Sequence, residues 1–154
     1  MIAHWICDQI EPVFYFDTEF RTVSNKNRRI ETTGFVLVLL MILIQASYGV
    51  LSFVAPSEFA TVRGTELFTL NDLDWVQIYG SRTLFITLVL SYLLLTRHFK
   101  ALMWCALFGL IMPIADGYLA HQAHTPLGVV LKHVATGVYL LATFIVLRMI
   151  VYKK

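Results

Sequence analysis

Four long apolar runs constrain the fold of this chain more than any other feature of its sequence. They cover residues 34–54, 78–96, 102–120 and 128–151. The first contains no charged residue, the second contains only Arg82, and the third contains only Asp116. A run of about 20 apolar residues is long enough to cross a bilayer as a helix. The sequence therefore predicts an all-α fold, a membrane-embedded bundle of four antiparallel helices.

Composition supports a membrane protein and divides the chain into two parts. Of the 154 residues, 58% are hydrophobic and 14% are charged, whereas soluble domains are about 45–50% apolar. We expect a four-helix domain over residues 34–152, preceded by a cytosolic leader over residues 1–33. The net charge of +2 provides no basic surface for nucleic acid, so no nucleic-acid partner is predicted.

The positive charges are unevenly distributed about the four predicted spans. The loop over residues 55–77 has one basic residue, Arg63, among four acidic ones. The other side holds most of the basic residues: Arg21, Lys26, Arg28, Arg29, Arg97, Lys100, Arg148, Lys153 and Lys154. Because cytoplasmic loops carry the excess of Lys and Arg, we expect both termini in the cytoplasm. A bacterial inner membrane is the default location.

The leader and the long loop each have a predicted role. Ile2, Trp5 and Ile10 recur at helical spacing before Pro12, which is expected to end that helix. The leader is then a helix on the inner membrane surface, a docking segment for another protein, or disordered. The loop 55–77 is longer than most loops and is expected to cover the outer mouth of the bundle.

Polar residues of all four spans fall in one layer near the outer boundary. Arg82, Asp116 and His133 each lie four or five residues from an outer span end, which places them roughly 6–8 Å below it. Gln45 and Tyr48 of the first span lie at a similar depth. Charged groups inside a membrane face the bundle interior and pair with one another. We therefore expect an ion pair between Arg82 and Asp116, with His133 beside it.

Other candidate features of the sequence are weaker. Pro113 lies three residues before Asp116 and is expected to kink the third span. His121 and His124 form an H-x-x-H pair, but this spacing alone is weak evidence for a metal, and exposed histidines explain it more simply. No metal site is therefore predicted. Cys7 and Cys105 are not placed to favour a disulfide, and no cofactor motif is present, so neither a disulfide nor a cofactor is predicted. Close helix approach is expected at Gly80.

Three short motifs resemble a known family: "YGSRTLFITLVL" at 79–90, "PIADGYLAH" at 113–121 and "LKHVATGVYLL" at 131–141. They are similar to an uncharacterised family of small four-helix integral membrane proteins, distantly DoxX-like in layout. The resemblance implies a G-x-R at the head of the second span, an acid in the third and a His in the fourth. In this chain these positions are Gly80, Arg82, Asp116 and His133. Thr83 stands where family members often have an acid.

The polar layer leads to three hypotheses about function. In the first, a lipid or other polar-headed hydrophobic small molecule binds in the bundle near the outer leaflet. Its predicted ligand-binding residues are Arg82, Asp116, His133, Tyr79, Gln45 and Tyr48. In the second, Asp116 and His133 are an acid–base pair of a membrane isomerase or cyclase. In the third, the chain is an accessory subunit of a larger membrane complex. A homo-oligomer is compatible with each hypothesis.

Overall fold

The computed structural model describes the backbone of residues 2–63 and 73–152 and the side chains of residues 27–63 and 73–152. Within these ranges the fold is all-α. The helices are α1 (Ile2–Val54), α2 (Pro56–Arg63), α3 (Leu73–Leu95), α4 (Phe99–Gly109), α5 (Ile111–Gln122) and α6 (Leu127–Val151). The leader side chains of residues 1–26 and residues 64–72 of the predicted loop lie outside the described residues.

The prediction of four apolar helices long enough to span a membrane is confirmed. They are Asn27–Val54, Leu73–Leu95, the α4–α5 segment Phe99–Gln122, and Leu127–Val151. The first span packs against the second and fourth, and the fourth packs against the third. The second and third spans contact each other mainly through α4. The result is an antiparallel ring, in which α2 lies at one end (the α2 end) and the 96–98 turn lies at the other (the turn end).

The expectation that Pro12 ends a helix is wrong. The backbone is helical without interruption from Ile2 to Val54, so the leader and the first span form one long helix. Proline removes one backbone donor and disturbs the preceding turn, which bends a helix without necessarily ending it. The predicted boundary between residues 33 and 34 therefore lies inside a continuous helix.

Helices α1 and α3 approach each other closely, as expected from Gly80. A Cβ atom added at Gly80 would lie 1.9 Å from Ser52 Oγ, and one added at Gly49 would lie 2.6 Å from Leu84 Cδ2. The Ser52 hydroxyl is fully buried and donates to the Gly49 carbonyl at 2.7 Å. This hydroxyl is satisfied within its own helix, so it can be buried at the contact. The small residues on both helices allow the two backbones to pack closely.

A dry apolar core fills the turn end of the bundle. It contains Val38, Met41, Ile42, Leu90, Leu94, Leu102, Met103, Ala106, Leu140 and Leu147. The sequence predicts an apolar core or a lipid-facing surface here, since the corresponding halves of the spans are almost entirely Leu, Val, Ile and Phe. The buried hydroxyls of Thr87 and Thr143 donate to carbonyls of their own helices, so they need no partner in the core.

The third span is broken in the middle, which confirms the kink expected from Pro113. Helix α4 ends at Gly109 and α5 begins at Ile111. Leu110 N donates to the carbonyl of Leu107 at 3.2 Å, a tightened turn at the break. Pro113 lacks the backbone N–H that would bond to Gly109, and this missing bond accounts for the position of the break.

Helix α2 packs onto the end of the bundle. Its residues Phe59 and Ala60 are fully buried. The Phe59 ring contacts two aromatic rings of the spans, Tyr48 edge-on at 6.3 Å and Tyr79 at 5.3 Å between centroids. This part of the long loop therefore covers the end of the bundle, as expected. Tyr79, which is also a candidate for an interfacial aromatic belt, lies half-buried beneath α2.

The close packing of α1 on α3 predicts that a larger residue at Gly80 destabilises the fold. Gly80→Ala is expected to lower the free energy of unfolding by about 1–3 kcal/mol, the usual range for overpacking. Gly128→Ala is the matched control, because no atom lies within 4 Å of a Cβ added there. Unfolding of both variants in detergent checks this. Equal stability of the two variants would contradict the close packing of α1 on α3.

Candidate functional site

A cavity of about 290 Å³ lies at the α2 end, enclosed by all four spans and by α2. This volume is at the lower end of the range of small-molecule pockets. Its walls combine polar residues with apolar residues from the adjoining core. The lining residues are Met41, Ile44, Gln45, Tyr48, Arg63, Tyr79, Met112, Pro113, Asp116, Lys132, His133, Ala135, Thr136, Tyr139 and Leu140.

An ion pair joins α2 to the third span across this cavity. Arg63 Nη2 donates to Asp116 Oδ2 at 2.6 Å. The two side chains are 18% and 28% exposed, respectively. The Arg63 guanidinium also lies over the Tyr79 ring, 4.8 Å from its centroid. Charge-assisted bonding and cation–π contact together hold the cation in place.

The predicted ion pair between Arg82 and Asp116 is therefore wrong, because Arg63 is the partner of Asp116. Arg82 is exposed and is not among the cavity-lining residues. The depth of Arg82 along the helix is as expected, but its direction is not. At about 100° per residue, Arg82 points roughly opposite to Gly80. The buried stripe of α3 is Val76, Gly80, Thr83, Thr87, Leu90 and Leu94.

Lys132 provides a second link between α2 and the spans. Its Nζ donates to the backbone carbonyl of Val62, in the last turn of α2. The last carbonyls of a helix have no partner within the helix, and a cation near them is favourable. From the sequence alone, Lys132 is expected to extend its ammonium group to the outer membrane interface. The structure shows instead a half-buried residue that stabilises the C-terminal end of α2.

His133 has one buried nitrogen without a partner in the described part of the chain, although its ring also lies within hydrogen-bonding reach of the Arg63 backbone. The residue is 5% exposed, and its Nε2 has no hydrogen-bond partner among the described residues. The charges of Asp116, Arg63 and Lys132 all act on its ring. Buried polar atoms are nearly always hydrogen-bonded, because leaving one unpaired costs about 1–3 kcal/mol. The nitrogen is thus available to a ligand.

The structure brings together five of the predicted ligand-binding residues: Asp116, His133, Tyr79, Gln45 and Tyr48. It adds Arg63 and Lys132, which the sequence analysis missed as members of the site. Lys132 adjoins His133 in sequence and has the same depth, so its position could have been found. Arg63 lies 53 residues from Asp116 in sequence, at the end of α2. This segment is predicted from the sequence as a loop, and no sequence pattern indicates the contact between the two residues.

The candidate metal ligands His121 and His124 lie outside the cavity. Both are exposed, at the end of α5 and in the turn that follows it. His124 has a positive φ of 53°, as expected for a turn residue. In the part of the chain that the structure describes, no group of three or more His, Cys, Asp or Glu side chains is placed to hold a metal ion.

Fold and cavity together define the class of protein. Four helices long and apolar enough to cross a bilayer indicate a small integral membrane protein. The chain belongs to the family described as "Domain of unknown function (DUF4267)", whose model matches residues 31–147. This range includes every residue that lines the cavity. Neither the curated proteins nor the solved structures contain a match to the chain. The likeness in layout to DoxX-like proteins is not confirmed.

The ion pair is tested by comparing two double-mutant cycles. Arg63→Met and Asp116→Asn are expected to be coupled by about 1–2 kcal/mol in unfolding free energy. Arg82→Met combined with Asp116→Asn is the matched cycle and should show coupling within about 0.5 kcal/mol of zero. Both cycles are measured by chemical unfolding in one detergent. Stronger coupling to Arg82 than to Arg63 would contradict the observed pairing.

Proposed function

We propose that this protein binds a small amphiphilic molecule, whose polar head lies in the cavity at the α2 end and whose body is hydrophobic. The observation that carries the proposal is the buried, unpartnered Nε2 of His133 in the wall of that cavity. We further propose a bacterial inner membrane with both termini in the cytoplasm, which puts the cavity near the outer leaflet.

The polar part of the cavity supports recognition of a head group. His133 Nε2 is able to donate or accept one hydrogen bond, depending on its tautomer. Gln45, Tyr48 and Thr136 add an amide and two hydroxyl groups to the same walls. A few convergent polar groups in a largely apolar pocket are typical of ligand sites. A polar head in this position would satisfy the unpaired nitrogen.

The apolar part of the cavity supports the hydrophobic body of the ligand. Met41 and Leu140 line the cavity and also belong to the dry core. Ile44 and Met112 complete the apolar wall. Methionine side chains are flexible and polarizable, and they adapt to ligands of irregular shape. A purely polar solute would leave this wall without a complementary partner.

The enzyme hypothesis has less support than binding. Acid–base catalysis by Asp116 requires a carboxylate that exchanges protons with a substrate. Asp116 Oδ2 instead accepts a 2.6 Å hydrogen bond from Arg63, so this oxygen is already paired. The accessory-subunit hypothesis depends on the leader, in which the side chains of residues 1–26 lie outside the described residues. Binding is therefore the function that the geometry supports best.

Native mass spectrometry of protein released from mild detergent tests the proposal. The wild type should retain a discrete extra mass, and His133→Leu should lose it. His133→Leu removes an unpaired Nε2 together with the contact of the ring with the Arg63 backbone, so we expect its unfolding free energy to stay within about 1 kcal/mol of the wild type. Loss of the ligand without loss of stability separates a binding role from a structural one.

His121→Leu is the matched control, since His121 is an exposed histidine outside the cavity. It should keep the extra mass at the wild-type level. A wild type without any bound mass, or a His133→Leu variant that retains the mass unchanged, would contradict the proposal.

A further inference from the structure

A second cavity adjoins the first one, on the outside of the bundle between α5 and α6. It has a volume of about 500 Å³, and its walls are almost entirely apolar. Ile114, Val134 and Val138 in these walls are each more than half exposed, so the cavity is an open groove. Its lining residues are Leu110, Pro113, Ile114, Gly117, Tyr118, Val130, His133, Val134, Gly137, Val138 and Leu141.

The groove has the length and direction of a lipid chain in one leaflet. On α6 it extends from Val130 to Leu141, which is roughly 16 Å along a helix at 1.5 Å per residue. The hydrocarbon core of a bilayer is about 30 Å thick. The groove therefore runs from the α2 end to about the middle of the membrane, parallel to the spans.

The groove and the polar cavity share two wall residues, His133 and Pro113. Two glycines keep the space beside them open. A Cβ atom added at Gly117 would lie 3.3 Å from His133 Cβ, and one added at Gly137 would lie 4.0 Å from Pro113 Cγ. His133 thus lies where the polar cavity adjoins the apolar groove. A molecule that occupies both would have its head beside His133 and its chain in the groove.

The net charge of the cavity lining indicates the charge that a bound head group should have. Arg63 and Lys132 are cationic and Asp116 is anionic, so the lining has one excess positive charge when His133 is neutral. Charges within a membrane are normally compensated. A carboxylate carries the single negative charge that balances this excess. A phosphate monoester carries about −1.5 to −2 at neutral pH and would overcompensate it. A phosphodiester lipid has a single negative charge but two hydrocarbon chains, and the cavity adjoins one groove.

We infer that the ligand is a long-chain carboxylate from the surrounding leaflet, which enters sideways between α5 and α6. Its carboxylate lies in the cavity beside His133, and its single hydrocarbon chain lies in the groove. This inference rests on the proposed function and adds the ligand class and the entry route. Exposure of the groove to lipid explains how a membrane-dissolved molecule reaches a site that α2 covers.

Photolabelling of the full-length protein in phosphatidylcholine nanodiscs tests the inference. The probe is hexadecanoate with a diazirine in the middle of its chain, and labelled peptides are identified by mass spectrometry. We expect labelling concentrated on the α5 and α6 residues of the groove. The same probe with a hexadecanol head should label the groove about tenfold less, because it lacks the charge.

Gly137→Leu fills the groove and should reduce groove labelling by the carboxylate probe about tenfold. Gly128→Leu is the matched control on the same helix, because a Cβ atom added there has no neighbour within 4 Å and Gly128 does not line the groove, and it should label like the wild type. Thermal unfolding of both variants verifies that they remain folded.

Two outcomes would overturn the inference: labelling spread evenly over all lipid-facing helices, or unchanged groove labelling in Gly137→Leu. Equal labelling by the alcohol probe would overturn the assignment of an anionic head. A different outcome is that the wild type carries a bound mass that His133→Leu lacks while the groove stays unlabelled by the probe. In that case the proposed function stands and only this inference fails. If that mass is also absent from the wild type, both fail.

Discussion

The ion pair between Arg63 and Asp116 organises the whole α2 end of this molecule. A carboxylate within a transmembrane helix needs a partner, because an isolated charge is costly in the bilayer. Here the partner comes from α2, outside the four spans, and its pairing with Asp116 draws that helix onto the bundle. Phe59 of α2 packs on Tyr79 of α3, and Lys132 bonds to the Val62 carbonyl at the end of α2. The ion pair and these contacts together hold α2 over the polar cavity.

Much of the fold follows from the sequence. The lengths of the apolar runs predict the four spans, Pro113 predicts the break at Leu110, and Gly80 predicts the close contact of α1 with α3. These features depend on local composition and on backbone chemistry. The helix that runs through Pro12 shows the limit of such rules, because one proline weakens a helix without deciding where it ends.

The sequence predicts the depth of the site residues along the spans but not the side of the helix on which each one lies. Counting residues from the span ends brings Asp116 and His133 to one layer, and both line the cavity. The same count includes Arg82, which lies at the right depth on the wrong side of α3. The seven-residue spacing from Gly80 to Thr87 marks the inward face and would have excluded Arg82. The contact of Arg63 with Asp116 is tertiary, and no local pattern encodes it.

The junction of α1 and α2 affects how a molecule exchanges with the cavity. Ala55 alone separates the two helices, and backbone hydrogen bonds of 2.9 Å run from Ala55 N to Leu51 O and from Phe59 N to Ala55 O. Helix α2 thus continues from α1 through one residue, with backbone hydrogen bonds on both sides of the corner. For the ligand proposed above, occupancy of the cavity beneath α2 would depend on the mole fraction of ligand in the neighbouring lipid. Diluting the protein into more buffer would then leave that occupancy unchanged, whereas diluting it into more lipid or detergent would lower it.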